Sequence, residues 1–211
     1  MGTMNILHPQ KPDRTLDYLN LLGEAGNGDF GMVDESGLSA LRLAIRSPCH
    51  ALEAIKKLQR KKIDLQKILN DGRTFLHIAA ELAPNVEVLE YVYSNGCAHY
   101  INRQDNYGWT PLHWCVSATT PRAGLGIDPL AKFKFLISRG ADLSLNARES
   151  PLMQWGFYDY QRFTPLDLAE ANEPDLFRDI LLDARQQLKL NHDDESGMFY
   201  DAMERLDDNI V

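Results

Sequence analysis

The chain has 211 residues, 44% of them hydrophobic and 25% charged; this supplies one folded unit or an elongated array of small ones, and no apolar run approaches the ~18 residues of a membrane span. A formal net charge of −8 argues against nucleic acid as a partner, because such affinity rests on basic groups displacing counterions from phosphates. The three cysteines, Cys49, Cys97 and Cys115, are odd in number and widely spaced, with no Cys-x-x-Cys pair. That argues against a disulfide framework or a zinc site, and predicts reduced, mostly buried thiols in a cytoplasmic protein.

In chain order, the N-terminus shows no charged-then-apolar leader pattern. Met1-Gly2 would suit myristoylation, but Ile6 stands where that signal takes Ser or Thr. Residues 12–31, with the periodic run "TLDYLNLL", are expected to form a capping helix. One phrase then recurs: "GLSALRLAI" from Gly37, "GRTFLHIAA" from Gly72, "GWTPLHWCV" from Gly108 and "RFTPLDLAE" from Arg162. Its Ser or Thr falls at 39, 74, 110 and 164, spaced by 35, 36 and 54 residues. A period in the thirties marks a stacked-repeat architecture.

Each copy has the same physical grammar. Glycine before Ser39, Thr74 and Thr110 permits a tight turn with positive φ. The hydroxyl residue caps a helix, and Pro111 and Pro165 follow at the first helical position, where a missing N–H costs nothing. Leucine and alanine then recur at helical spacing, the alanines allowing one inner helix to approach the next. A second helix is predicted in each copy, over 50–60, 86–94, 130–138 and 175–185. The basic run "KKLQRKK" at 56–62 reads as the wet face of the first of these, with a nuclear-import or nucleic-acid patch as the alternative. Gly140 closes the third as a C-cap.

The long interval holds two insertions. "SATTPRAGLGIDP", 117–129, is expected as a surface loop. "SLNARESPLMQWGFYDYQR", 144–162, is expected as an aromatic finger, a hairpin about Gly156, or else a lid on the last repeat. Residues 188–211 form an acidic tail. Its Met198, Phe199, Ala202, Met203 and Leu206 fall at helical spacing, suiting either a cap for the last repeat or a motif for a partner's groove.

This grammar resembles the ankyrin repeat: a glycine turn, Thr-Pro-Leu-His-x-Ala, a second helix rich in Leu and Val, then Gly-Ala-Asp, as at 108–115 and 139–143. The resemblance covers residues 34–187. It implies an all-α solenoid of about four helix-turn-helix repeats, near 34–69, 70–104, 105–150 and 151–187, between an N-terminal capping segment, 1–33, and the tail. It also implies that another protein is bound through the turn tips and the exposed side of the inner helices. The matching positions are Glu35, Leu38 and Arg46; Asn70, Arg73 and Glu81; Asn106, Tyr107, Trp109 and Ser117; and Tyr160, Phe163 and Asn172.

His77 and His113 each sit three residues after a cap threonine, so each ring is expected to bond back to that hydroxyl and across to a neighbouring turn. Asp167 takes this place in the last copy, as a capping-box partner of Thr164, and Arg42 in the first. His113 and Cys115 are two apart, on different faces of a helix. No catalytic triad, phosphate loop or His-Glu-x-x-His motif is present. The expectation is a non-catalytic adaptor, scaffold or inhibitor with no cofactor or metal and no nucleic-acid or membrane partner. The residues expected to hold its partner protein are Arg73, Tyr107, Trp109, Trp155, Phe157, Tyr158, Tyr160 and Phe163. Packing between turns is the alternative for Trp109 and Phe163. Two other readings are an effector translocated into a host cell and an enzyme with a site in the insertions.

Overall fold

Most of the helices begin where the sequence supplies a cap. In the computed structural model, which describes residues 13–17, 40–117, 128–147, 163–172, 175–180 and 182, the inner helices are α1 (Ala40–Ile45), α3 (Phe75–Leu82), α5 (Pro111–Ser117) and α7 (Pro165–Asn172). Thr74, Thr110 and Thr164 stand directly before the last three. The outer helices are α2 (Ala51–Arg60), α4 (Val86–Val92) and α6 (Pro129–Ser138). Their caps are less visible in the sequence. Asn85 accepts from the Val88 N–H at 3.0 Å, and Asp128 from the Ala131 N–H at 2.9 Å with Pro129 at the first helical position. Each side chain thereby satisfies an amide that the helix itself leaves without a partner.

The chain divides into two compact units, Met1–Asn172 and Glu173–Val211. In the first, α1 packs on α2, α3 on α4 and α5 on α6, and the inner helices form a row in which α3 meets α5 and α5 meets α7. Leu76, Ala79 and Ala80 of α3 and Leu112 and Cys115 of α5 are fully buried. The alanines matter because a missing side chain lets two helix backbones come close. The outer layer closes the core with Leu58, Leu89, Phe133 and Leu136, each essentially inaccessible. Burying one such side chain is worth about 1.5–3 kcal/mol.

The second predicted helix, 86–94, ends sooner than expected. After Val92 the chain widens into a turn over Tyr93–Cys97, where Gly96 takes φ +105°. No strand occurs among the described residues; the one strand-like feature is an isolated antiparallel bridge between Ala147 and Phe163. Residues 15–17 are helical, and the Asp13 carboxylate before them accepts from the Thr15 N–H at 3.0 Å and from the Ser47 hydroxyl. In the second unit, residues 175–180 and 182 are helical, within the predicted span 175–185, and Phe177 is buried. The rest of the expected capping helix, residues 118–127 of the first insertion, residues 148–162 of the finger and the tail lie outside the described residues.

Candidate interaction surface

The turn preceding α5 is organised by one carboxylate. Asp105 Oδ1 accepts from the backbone N–H groups of Tyr107 at 3.0 Å and Trp109 at 2.8 Å, while Oδ2 accepts from the Trp114 indole at 2.9 Å. Burial raises its pKa above the ordinary carboxylate value, against the pull of these three donors and of Arg73. Trp114 lies beneath the Arg73 guanidinium, which stands 4.8 Å from the ring centroid. Arg73 is also fixed from two other sides, by Asp71 at 2.6 Å and Glu81 at 3.4 Å. Its side chain is only 12% exposed. The expected partner-binding arginine is thus already held by two carboxylates and an indole, a geometry suited to the planar guanidinium.

Trp109 is not the exposed anchor that its turn position implied. It is 0% exposed, with Trp114 at 5.0 Å and Phe163 edge-on at 5.7 Å between ring centroids. Ala147 belongs to the same cluster, and Tyr107, Phe163 and Leu168 pack against it half-buried. The physical reason is the excursion between Ala147 and Phe163: the Ala147 N–H donates to the Phe163 carbonyl at 2.9 Å, bringing Phe163 onto the indole. Packing between turns, the alternative reading, describes Trp109 fully and Phe163 in part.

The other expected positions divide three ways. Arg46, Asn70 and Asn106 are exposed, with the Asn106 side-chain amide donating to the Asn70 carbonyl at 3.1 Å. Glu81 is half-buried, and Ser117 is buried, its hydroxyl turned to the Trp114 carbonyl at 2.9 Å. Glu35, Leu38, Trp155, Phe157, Tyr158 and Tyr160 lie outside the described residues, as does the side chain of Asn172.

The two histidines are joints. In the second repeat the Thr74 N–H and hydroxyl both point at His77 Nδ1, at 3.1 and 2.8 Å. Nδ1 therefore accepts, and Nε2 carries the proton that it donates to the carbonyls of Arg103 at 3.0 Å and Trp109 at 3.2 Å. The third repeat repeats this with Thr110 and His113, whose Nε2 donates to the Phe163 carbonyl at 3.3 Å. Burial pushes both imidazoles down to about 4. With one nitrogen capping its own helix and the other bonded to the next turn, neither has a lone pair to offer a substrate. Asp167 performs the same cap with Thr164, accepting from its N–H at 2.6 Å and hydroxyl at 2.7 Å. Cys115 is equally unreactive, since burial pushes its thiol up to about 11.

Three contributors escaped the sequence reading. Asp105 and Trp114 were passed over; an Asp followed by a Gly turn was the available signal for the first. Lys132 gave none. It sits on α6, fully buried, and its ammonium donates to the carbonyls of Ala80 at 2.8 Å, Ala83 at 3.1 Å and Glu81 at 3.5 Å, at the end of α3. Those are the carbonyls a helix leaves unpaired, where the dipole favours a cation.

Among the described residues no three His, Cys, Asp or Glu side chains converge as a metal ion would require. No helix among them is long and apolar enough to cross a membrane. A family model described as "Ankyrin repeats (3 copies)" matches residues 41–147, the span that contains both histidine joints and the Asp105 turn. With half the chain matched and the repeated cap, turn and joint in place, this protein belongs to the ankyrin-repeat family.

Proposed function

We propose that the protein is a non-catalytic adaptor, scaffold or inhibitor that holds a partner protein on the turn-tip and inner-helix face of its second and third repeats. Ankyrin repeats are generally protein–protein interaction modules. The observation that carries the reading is the half-exposed Tyr107 on a turn made rigid from beneath by Asp105 and Trp114, both buried, and by the nearly buried Arg73. Arg73 is held by Asp71 and Glu81 over the Trp114 ring, and Tyr107 rests half-buried on the Trp109 cluster. Side chains already ordered in the free protein lose little entropy on binding, which leaves more of the contact energy as affinity. Arg46, Asn70 and Asn106 supply an exposed polar rim. The same partner is assigned to Trp155, Phe157, Tyr158 and Tyr160 from the sequence alone; the described residues that flank this run, Ala147 and Phe163, meet in a bridge beside the cluster. Buried free thiols at Cys97 and Cys115 suit a reducing cytoplasm.

The test compares Tyr107→Ala/Trp155→Ala with the wild type by affinity capture from a lysate of the source organism and mass spectrometry. Truncating aromatic anchors at an interface costs about 1–3 kcal/mol each, so the wild-type partner is expected to drop out while the melting curve stays near normal. Recovery of the same partner at the same yield would remove this face as the binding site.

A further inference from the structure

A second surface feature shares no residue with the turn-tip face. The outer helices α2 and α4 leave between them an open groove of about 500 Å³. One wall is a stripe of α2, Leu52, Glu53, Lys56, Lys57 and Arg60, and the other is formed by Pro84, Glu87 and Val88. The stripe from 52 to 60 rises about 12 Å, the span of about four extended residues. Its lining is mixed, and the apolar part comes from Leu52, which is half-exposed, with Pro84 and Val88, which are buried.

Its charge is lopsided. Lys56, Lys57 and Arg60 line it, and Lys61 and Lys62, both exposed, continue past its end. Residues 56–62 thus hold five basic side chains in a chain whose net charge is −8. Lys56 has a set position, 5.1 Å over the Tyr91 ring. Among the described residues, the carboxylates in the lining are Glu53 and Glu87.

We propose that this groove is a docking site for a short extended segment of a partner protein, in which an apolar side chain is followed by two or three carboxylates. The apolar side chain would sit over Leu52, Pro84 and Val88. The carboxylates would lie along Lys56, Lys57 and Arg60 towards Lys61. A peptide suits this surface better than a nucleic acid. A uniformly charged phosphate chain would have to pass Glu53 and Glu87 and then meet an acidic protein, and it would leave Leu52 without an apolar partner.

A displayed library of random hexapeptides, selected on the full-length chain, tests the proposal. Enrichment of sequences with an apolar residue followed by Asp or Glu is expected. The best of them, labelled with fluorescein, should bind saturably by anisotropy. Lys56→Glu/Arg60→Glu should weaken that peptide at least about tenfold, since two attractions of exposed charges become repulsions. Tyr107→Ala should leave it unchanged, so this site and the turn-tip face fail separately. A chloroacetyl group at the peptide's N-terminus should alkylate Cys49, the exposed thiol that also lines the groove. The proposal is overturned by a library that returns no acidic consensus, or by wild-type affinity in the double variant. Equal binding by a scrambled peptide or a single-stranded oligonucleotide of the same charge would also overturn it. If the charge-reversed chain melts early, Lys56→Gln/Arg60→Gln carries the same comparison with a smaller expected loss.

Discussion

His77 and His113 settle how reactive-looking residues are used here. An imidazole that accepts at Nδ1 from its own cap and donates at Nε2 to the next turn joins two repeats only while it is neutral. Protonating Nδ1 sets a donor against the threonine N–H. Both rings have a folded pKa of about 4 against an ordinary 6.5, so between those values the unfolded chain binds more protons than the folded one. The stabilisation is therefore complete above pH 6.5 and is lost as pH falls towards 4. It amounts to about 3 kcal/mol per ring at most. Asp105, whose pKa is raised by burial, works in the opposite direction, but as one group against two. Urea midpoints at pH 7.5, 6 and 5 should fall in that order, and His113→Asn should flatten the profile. A midpoint unchanged between pH 7.5 and 5 would show that the rings are not neutral joints.

At the scale of one element, the turn before α3 shows how a backbone can dictate a residue. Gly72 takes φ +80°, where side chains are strained, and a Cβ there would meet the Asn106 Oδ1 at 2.5 Å and its backbone N at 2.8 Å. The closeness is the contact itself, since the Asn106 N–H donates to the Asp71 carbonyl at 3.0 Å, tying one turn tip to the next. Gly72→Ala is expected to cost about 2–3 kcal/mol, from strain and from this displaced contact. Gly140, with φ +87° and nothing within 4 Å of its Cβ position, has only the strain to lose. Gly140→Ala should cost about 1 kcal/mol. Equal losses in the two variants by denaturant titration would contradict the role given to Asn106.

For the whole molecule, coupling between repeats decides stability, because no helix pair buries its apolar faces alone. Lys132 is the clearest such coupling, an ammonium from the outer helix of the third repeat closing the inner helix of the second. Two effects compete when it is replaced. Lys132→Met removes the cost of burying a charge but leaves the Ala80 and Ala83 carbonyls without a donor. Orphaned carbonyls cost about 1–3 kcal/mol each and charge-assisted bonds are strong, so a net loss of about 2 kcal/mol is expected by urea unfolding. A more stable Lys132→Met protein would mean that desolvation dominates.

The amino-acid sequence by itself determined the period, the helix starts and the purpose of the histidines. Thr74, Thr110 and Thr164 act within a few residues of themselves, and a cap or a turn is local chemistry. It also put Arg73, Tyr107 and Phe163 at matching positions of successive repeats. Only the tertiary structure decided which of those side chains remain available. Trp109 is hidden because Phe163, 54 residues away, is brought down on it, and Arg73 is held because Glu81 and Trp114 arrive from two different helices. Lys132 is buried for the same kind of reason, since the carbonyls that receive it belong to residues about 50 positions earlier. Exposure is a property of what packs over a residue, and a one-dimensional pattern carries the residue without its cover.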